Sequence, residues 1–131
     1  MGGLMADKRL KLFFDGGCRP NPGRVEAAVV ARGTSYFFDD LGIGTSSDAE
    51  WLALLAALGV AHSLGVAEFD LIGDCANVIA QARGEAPCRS RSCLEHRERL
   101  QAASVQPRRI RWIARTQNLA GIALERRRNI P

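Results

Sequence analysis

The stretch from Leu12 to Gly23 constrains the fold more than any other part of the chain. Its apolar, aromatic beginning predicts a buried strand that ends on Asp15, and a turn rich in Gly, Pro and Asn follows. A carboxylate between a buried strand and such a turn is destabilising unless a backbone N–H, an arginine or a metal ion compensates its charge. The simplest interpretation is that the remaining chain is a scaffold that brings further carboxylates to Asp15.

The length of 131 residues is enough for one domain with a sizeable core and too short for two. No apolar run reaches membrane-spanning length. The first seven residues lack the apolar segment of a signal peptide. We therefore expect a disordered tail over residues 1–7, a single domain over residues 8–131, and a soluble cytoplasmic protein.

The cysteines do not have the spacing of a metal site. None of them forms a Cys-x-x-Cys pair, and the two histidines supply no closely spaced ligand pair either. The pattern favours reduced thiols in a cytosolic protein over structural zinc. The four cysteines are Cys18, Cys75, Cys88 and Cys93.

Charge is distributed unevenly along the chain. Residues 1–80 contain six basic and ten acidic side chains, a net charge of −4, whereas residues 81–131 contain twelve arginines and four acids, a net charge of +8. Arginine pairs bidentately with phosphate, so the asymmetry favours a protein that holds a polyanion with one part and cations with another. The alternative is a solvated surface that happens to be basic.

The hydrophobic pattern predicts an α/β protein in the order β-β-β-α-β-α-α-β-α. The first three strands form an antiparallel meander, and right-handed helical crossovers return the fourth and fifth as parallel strands. The result is a mixed five-stranded sheet flanked by helices. The predicted strands cover residues 8–15, 25–32, 34–41, 67–73 and 107–114, and the predicted helices cover residues 47–64, 75–83, 90–104 and 117–128.

Two packing details follow from the same pattern. The spacing of apolar residues in the first helix predicts a core face formed by Leu52, Leu55, Ala56 and Gly59. In the last strand Trp112 shares the inward-facing side with Ile110, so we expect it in the core rather than as a stacking platform.

Three acids lie at the ends of elements that this topology brings together, namely Asp15, Glu50 and Asp74. Close carboxylates repel one another unless cations bind between them, and oxygen ligands favour Mg²⁺ or Mn²⁺. Two such ions suit in-line attack on a phosphodiester. Structural alternatives remain open at this point: Glu50 completes a capping box that begins at Ser47, and Asp74 has the position of a helix N-cap.

Segments in the same order resemble type 1 ribonuclease H, in the short form without an inserted basic-handle helix. Residues 14–23 are similar to the family's Asp-Gly…Asn-Pro-Gly signature, and residues 45–50 to its Thr-Asn-Asn-x-x-Glu segment. Residues 74–79 are similar to Asp-Ser-x-x-Val-Ile. Residues 112–113 and 118–122 are similar to the closing Trp-Val…Asn-x-x-Ala-Asp.

The resemblance implies a ribonuclease H-like fold and endonucleolytic cleavage of the RNA strand of an RNA/DNA hybrid. Asp15, Glu50 and Asp74 fall on catalytic positions that hold two divalent ions, Mg²⁺ or Mn²⁺. We expect a monomer that binds the hybrid and does not bind a membrane. Such a protein can recognise the shape of the hybrid's groove and the RNA 2′-OH. The implied nucleic-acid contacts are Gly16, Asn21, Ser46, Ser47, Arg115 and Asn118.

The chain departs from the family pattern at one metal ligand. The fourth family acid falls on Ile122, which cannot ligate a metal. Glu125 lies one turn further along the same helix, and we hypothesise that its longer side chain partly substitutes. Ser46 and Ser47 replace two Asn groups that read the hybrid and have fewer donors.

Three functions are therefore open. The first is a ribonuclease H, weakened by the lost ligand, and the second is an inactive module that still binds hybrids or RNA. The third is another nuclease on the same fold. Phosphate contact and a solvated face are both open for the arginines near the C-terminus, which are Arg108, Arg109, Arg111, Arg126, Arg127 and Arg128.

Overall fold

Strands and helices both occur along residues 9–129, the part of the chain that this computed structural model describes. The expected tail over residues 1–7 lies outside that range. The strands are β1 (Leu10–Cys18), β2 (Gly23–Ala31), β3 (Thr34–Phe38), β4 (Ile43–Gly44), β5 (Phe69–Gly73) and β6 (Arg109–Trp112). The helices are α1 (Ser46–Ser63), α2 (Ala76–Ala82), α3 (Arg91–Ala102) and α4 (Leu119–Arg128), with a 3₁₀ turn at Arg115–Gln117.

One mixed sheet carries the fold, in the strand order β3-β2-β1-β5-β6. The first three strands are antiparallel, and β5 and β6 run parallel to β1. This confirms the predicted five-stranded mixed sheet, in which β1 lies beside the strand that precedes Asp74. The structure adds β4, a two-residue strand that pairs with β2 inside a predicted loop.

The first strand is longer than predicted. It continues beyond Asp15 to Cys18, because residues 15–18 pair with residues 25–28 of β2. Asp15 therefore lies inside a hydrogen-bonded strand rather than at its end. The β1–β2 hydrogen-bond ladder continues before and after Asp15 and fixes its backbone. A strand therefore holds this carboxylate more rigidly than a turn would.

Two helical layers cover the sheet. The α1 side holds most of the core, including Phe14, Trp51 and Leu71. A smaller cluster on the other side packs α4 residues such as Leu124 against Val30. None of the described helices combines the length and apolar composition that a membrane crossing requires.

The predicted face of α1 is not its most buried face, although Leu55 and Ala56 pack against the margin of the core. The helix buries Trp51, Leu54, Leu58 and Ala61 instead. It is apolar on most of its circumference, so residue spacing alone permits more than one face. The residues predicted for the core line a surface groove beside β3, and they are Leu52, Leu55, Ala56 and Gly59.

The start of α1 also differs from the prediction. Thr45, not Ser47, is the N-cap: its hydroxyl accepts from the Asp48 backbone N–H, and the Asp48 carboxylate accepts from the Thr45 backbone N–H. Both overlapping segments match the capping-box pattern, and the chain uses the earlier one. Glu50 is thus released from a capping role.

The expectation of reduced cysteines is wrong for one pair. Cys88 in the loop before α3 forms a disulfide with Cys93 in the first turn of that helix. Their Cα atoms lie 5.4 Å apart, within the range that a disulfide spans. Cys18 and Cys75 are free thiols.

The expectation that Trp112 lies in the core is also wrong. Trp112 is 55% exposed. It ends the short strand β6, which is an edge of the sheet, so no further strand covers it. Its indole N–H donates to the Asp74 carbonyl over 3.0 Å.

Candidate metal centre

Three carboxylates converge at one edge of the sheet. Asp15 comes from β1, Glu50 from the first turns of α1, and Asp74 from the residue after β5, and one oxygen of each lies within 4.8 Å of the others. Asp15 is only 7% exposed, and Glu50 is partly buried. The structure therefore brings together the three acids that the sequence singles out.

Burial and the repulsion of neighbouring carboxylates make Asp15 and Glu50 hard to ionise. Burial and the Asp74 charge raise the pKa of Asp15 to about 6, against the opposing effect of Arg115 and Arg128. Burial and the Asp15 charge raise the pKa of Glu50 to about 8, although the Gly16 N–H donates to its Oε1 over 2.8 Å. The nearby arginines, Arg115 and Arg128, therefore only partly compensate the negative charge of the cluster.

This donor set fits a hard divalent cation. Oxygen ligands from three separate elements, held close together and partly shielded from water, match the chemistry of Mg²⁺ or Mn²⁺. A bound dication would stabilise the ionised carboxylates and so lower the raised pKa values of Asp15 and Glu50. Asp15, Glu50 and Asp74 are the residues that would hold it.

We expect the stability of the metal-free protein to fall as the pH rises from about 4 to 8. Across this window the unfolded chain releases protons that folded Asp15 and Glu50 retain, so the folded state is progressively disfavoured. Mn²⁺ should therefore raise the thermal midpoint more at pH 8 than at pH 5. Thermal unfolding with EDTA or MnCl₂ at each pH measures this, and an equal shift at both would contradict it.

Asn118 is a buried support for the centre. It is 0% exposed, and its amide N–H₂ donates to the Phe14 carbonyl (3.0 Å) and to Asp74 Oδ2 (2.8 Å). Its side-chain oxygen accepts from the Ala120 N–H and so caps α4. The expected nucleic-acid contact by Asn118 is thus corrected: the side chain is enclosed and orients a carboxylate. Likewise Asp74 is not the cap of α2, which begins after Cys75 without a side-chain cap.

Replacing Asn118 with Ala should affect both stability and metal affinity. The change leaves a buried carbonyl and the α4 end without partners, which costs about 2–3 kcal/mol. It also frees Asp74, and loss of such an orienting partner typically weakens metal binding 10- to 100-fold. Urea unfolding and Mn²⁺ titration measure the two effects. Unchanged Mn²⁺ affinity would contradict the orienting role.

The hypothesised substitute ligand stands apart from the three acids. Ile122 and Glu125 line a groove on α4 next to Arg115, and the Glu125 carboxylate is not in the cluster of three. Its charge still contributes to raising the pKa of Asp15. Gly121 of α4 lies close to Asp15: a Cβ built there would lie 3.6 Å from Asp15 Oδ2.

Two of the residues expected to contact nucleic acid meet beside the cluster. The Asn21 amide donates to the Ser46 hydroxyl over 2.6 Å and accepts from the Ser46 N–H over 3.1 Å. Both are exposed, as is Ser47 in the next position. Gly16 is instead packed against α1, because a Cβ there would lie 2.0 Å from the Ala49 carbonyl oxygen.

The arginines near the site have different environments. Arg115 is exposed, and its positive charge opposes the rise in pKa of both Asp15 and Glu50. Arg127 pairs with Asp39 and lies over the Phe37 ring, 4.5 Å from its centroid.

Arg128 lies near enough to the cluster for its charge to lower the pKa of Asp15. The sequence indicated it only as one of a group of arginines near the C-terminus. Arg128 donates to Glu26 over 2.8 Å and packs against Gly17. No local pattern predicts this contact, because it joins residues about a hundred positions apart. The Trp112 bond to the Asp74 carbonyl was missed for the same reason.

Comparison with known proteins identifies the family of this chain. A profile for a family described as reverse transcriptase-like matches residues 13–126. The chain belongs to the reverse transcriptase-like family. Ribonuclease HI of Halobacterium salinarum is 34% identical over 85 residues, which are 58% of this chain and 41% of that protein. The match thus spans well under half the length of this curated relative.

Solved structures extend the family match to the fold. The crystal structure of ribonuclease H1 from Halobacterium salinarum superposes with a TM-score of 0.81 and 27% identity, covering 88% of this chain and 93% of that one. The N-terminal ribonuclease H domain of a Mycobacterium tuberculosis protein has a TM-score of 0.72 at 27% identity, covering 88% and 95%. This reverse transcriptase-like chain therefore has the ribonuclease H-like fold that its motifs imply.

Proposed function

We propose that this protein is a metal-dependent endonuclease that cleaves the RNA strand of RNA/DNA hybrids. The convergence of Asp15, Glu50 and Asp74 at an open sheet edge carries the proposal. The relatives support it: ribonuclease HI by sequence, and LC11 ribonuclease H1, a protein of this fold solved in complex with an RNA/DNA hybrid.

Each part of the site has a task in this reaction. Asp15, Glu50 and Asp74 would hold two divalent ions, which supply Lewis-acid stabilisation of phosphoryl charge and activation of the attacking water. The Gly16 N–H positions Glu50, and Asn118 positions Asp74. These supports pre-organise the site, so little rearrangement is needed during the reaction.

Substrate selection rests on the exposed pair formed by Asn21 and Ser46. Their amide and hydroxyl groups lie beside the cluster, where they suit hydrogen bonds to sugar hydroxyls in a minor groove. Arg115 adds positive charge at the same mouth and suits a phosphate near the scissile bond. A hybrid offers both features, whereas a DNA duplex lacks the 2′-OH.

A substrate comparison tests the proposal. Equal amounts of hybrid, RNA duplex and DNA duplex of one sequence are incubated with the protein in Mg²⁺, Mn²⁺ or EDTA. We expect cleavage of the hybrid in Mn²⁺ and slower cleavage in Mg²⁺, with none in EDTA. Cleavage of the DNA duplex at the same rate would favour a different nuclease on this fold.

The second candidate is a binding module without catalysis. Ile122 favours it, because an aliphatic side chain stands where the resemblance places a fourth acid and Glu125 lies outside the cluster. Hybrid binding without cleavage in either metal would establish this alternative.

Restoring the acid with Ile122→Asp should raise the cleavage rate about tenfold or more. The resemblance places a fourth metal-holding acid at this position, where it would strengthen the hold on one ion, and about 1.4 kcal/mol of added transition-state stabilisation is tenfold in rate. The metal concentration for half-maximal rate should fall as well. Ile122→Asn, similar in size to Asp but uncharged, is the matched control, and an equal gain with both variants would contradict the ligand argument.

A further inference from the structure

Four basic side chains surround one buried acid on the α4 side of the sheet. Lys11 of β1 and Arg109 of β6 are the cross-strand partners of Asp70 in β5. Residues two apart in a strand share a face, so Arg9 and Arg111 belong to the same surface. We call this set, Arg9, Lys11, Asp70, Arg109 and Arg111, the basic strip.

Asp70 orders part of the strip but cannot neutralise it. It is 2% exposed, and Arg9 Nε lies 3.1 Å from its Oδ1 and Arg111 Nη1 lies 3.6 Å from its Oδ2. Within residues 9–129, Lys11 and Arg109 have no acidic partner at ion-pair distance. Four cations around one carboxylate leave an excess of three positive charges.

The strip is open to a ligand. The helix α4 packs on β1, β2 and β3, which leaves β5 and the edge strand β6 beside it. Lys11 and Arg109 are exposed, and the side chain of Arg111 is 45% exposed even though it approaches Asp70. A fixed row of exposed cations is the feature that suits a phosphodiester backbone.

The strip also lies on a path from the carboxylate cluster. Lys11 lies four positions before Asp15 along β1, and Asp70 lies four positions before Asp74, which follows β5. At about 3.3 Å per residue this is about 13 Å along the sheet. Trp112, at the end of β6, shares a face with Ile110 on the α1 side of the sheet, so its exposed indole lies on the face opposite the strip.

We propose that the basic strip binds a single-stranded extension of the hybrid through its phosphates. A positively charged groove that follows the backbone is a usual means of holding single-stranded nucleic acid. The strip is confined between α4 and the edge of the sheet, so it suits one flexible strand rather than a duplex. The inference rests on the proposed function, since it extends the same bound hybrid beyond the cleavage site.

The test compares binding of two hybrids in EDTA by fluorescence anisotropy. One is blunt, and the other carries a ten-nucleotide single-stranded DNA extension at either end in turn. We expect the wild-type protein to bind one extended form at least fivefold more tightly than the blunt form. Lys11→Gln/Arg109→Gln, which leaves the Asp70 ion pairs in place, should reduce that ratio to below twofold. The double variant should also reduce the slope of log affinity against log salt concentration for the extended hybrid by about 1.4, because each lost phosphate contact to a single strand contributes about 0.7 to that slope.

Matched variants separate a local effect from one of total charge. Arg32→Gln/Arg99→Gln removes two exposed arginines elsewhere and should keep the fivefold ratio. A wild-type ratio near one, or a ratio equally reduced by both double variants, would overturn the proposal. Wild-type cleavage of the blunt hybrid in Mn²⁺ tests the proposed function separately.

Discussion

Replacing Asp15 with Asn should reduce hybrid cleavage by about a thousandfold or more. Asn keeps the size of the side chain but cannot supply the charge that holds a dication, and loss of several kcal/mol of Lewis-acid stabilisation corresponds to this range. Asp15 is the shared member of the cluster, because its charge raises the pKa of Glu50 and the Asp74 charge raises its own. Single-turnover cleavage in Mn²⁺ measures the loss.

The same substitution should stabilise the metal-free protein at pH 8. The raised pKa of Asp15 means that ionising this buried carboxylate opposes folding, by about 1–3 kcal/mol at 1.4 kcal/mol per pKa unit. Asp40→Asn is a matched control at an exposed acid and should change neither activity nor stability. If Asp15→Asn retained activity within tenfold of wild type, the cluster would not be the reactive centre.

Replacing Gly16 with Ala should destabilise the protein by about 3 kcal/mol or more. The new Cβ would lie 2.0 Å from the Ala49 carbonyl oxygen and 2.8 Å from the Glu50 nitrogen. Both are backbone atoms of α1, so the helix itself must move away from β1, at the upper end of the usual range for overpacking. Activity should fall as well, because the hydrogen bond from the Gly16 N–H to the Glu50 carboxylate would be broken. Urea unfolding monitors the stability.

Gly59→Ala provides the opposite result as a control. Gly59 is a helical glycine of α1 with open space around a built Cβ. Alanine there should stabilise the protein by about 0.5–1 kcal/mol through its better helix propensity. A Gly16→Ala variant as stable as wild type would show that α1 does not need its close approach to β1.

The convergence of the three acids was predictable because it depends on topology. A buried strand that contains Asp15, a parallel neighbour that precedes Asp74, and a helix that packs over both leave one place where the acids meet. The β1–β5 pairing and the position of α1 confirm that reasoning. Local propensities and connection rules were sufficient for this part of the fold.

Other features depend on contacts that local patterns do not specify. Two overlapping capping boxes are possible at the start of α1; the chain uses Thr45 with Asp48, and Glu50 instead accepts from the Gly16 N–H of β1. The exposure of Trp112 follows from β6 being an edge strand. The family motif points to Asn118 as a site residue. Its burial and its hydrogen bond to Asp74 depend on the packing of β1, β5 and α4, which the motif does not specify.

The most direct test of the central claim is single-turnover cleavage of one hybrid whose RNA and DNA strands carry different fluorophores. Wild type and Asp15→Asn are compared in Mn²⁺ and in EDTA. The account predicts fragments of the RNA strand alone, formed only by the wild-type protein and only with the divalent ion. Cleavage in EDTA, or equal cleavage by Asp15→Asn, would contradict a metal-dependent ribonuclease centred on Asp15, Glu50 and Asp74.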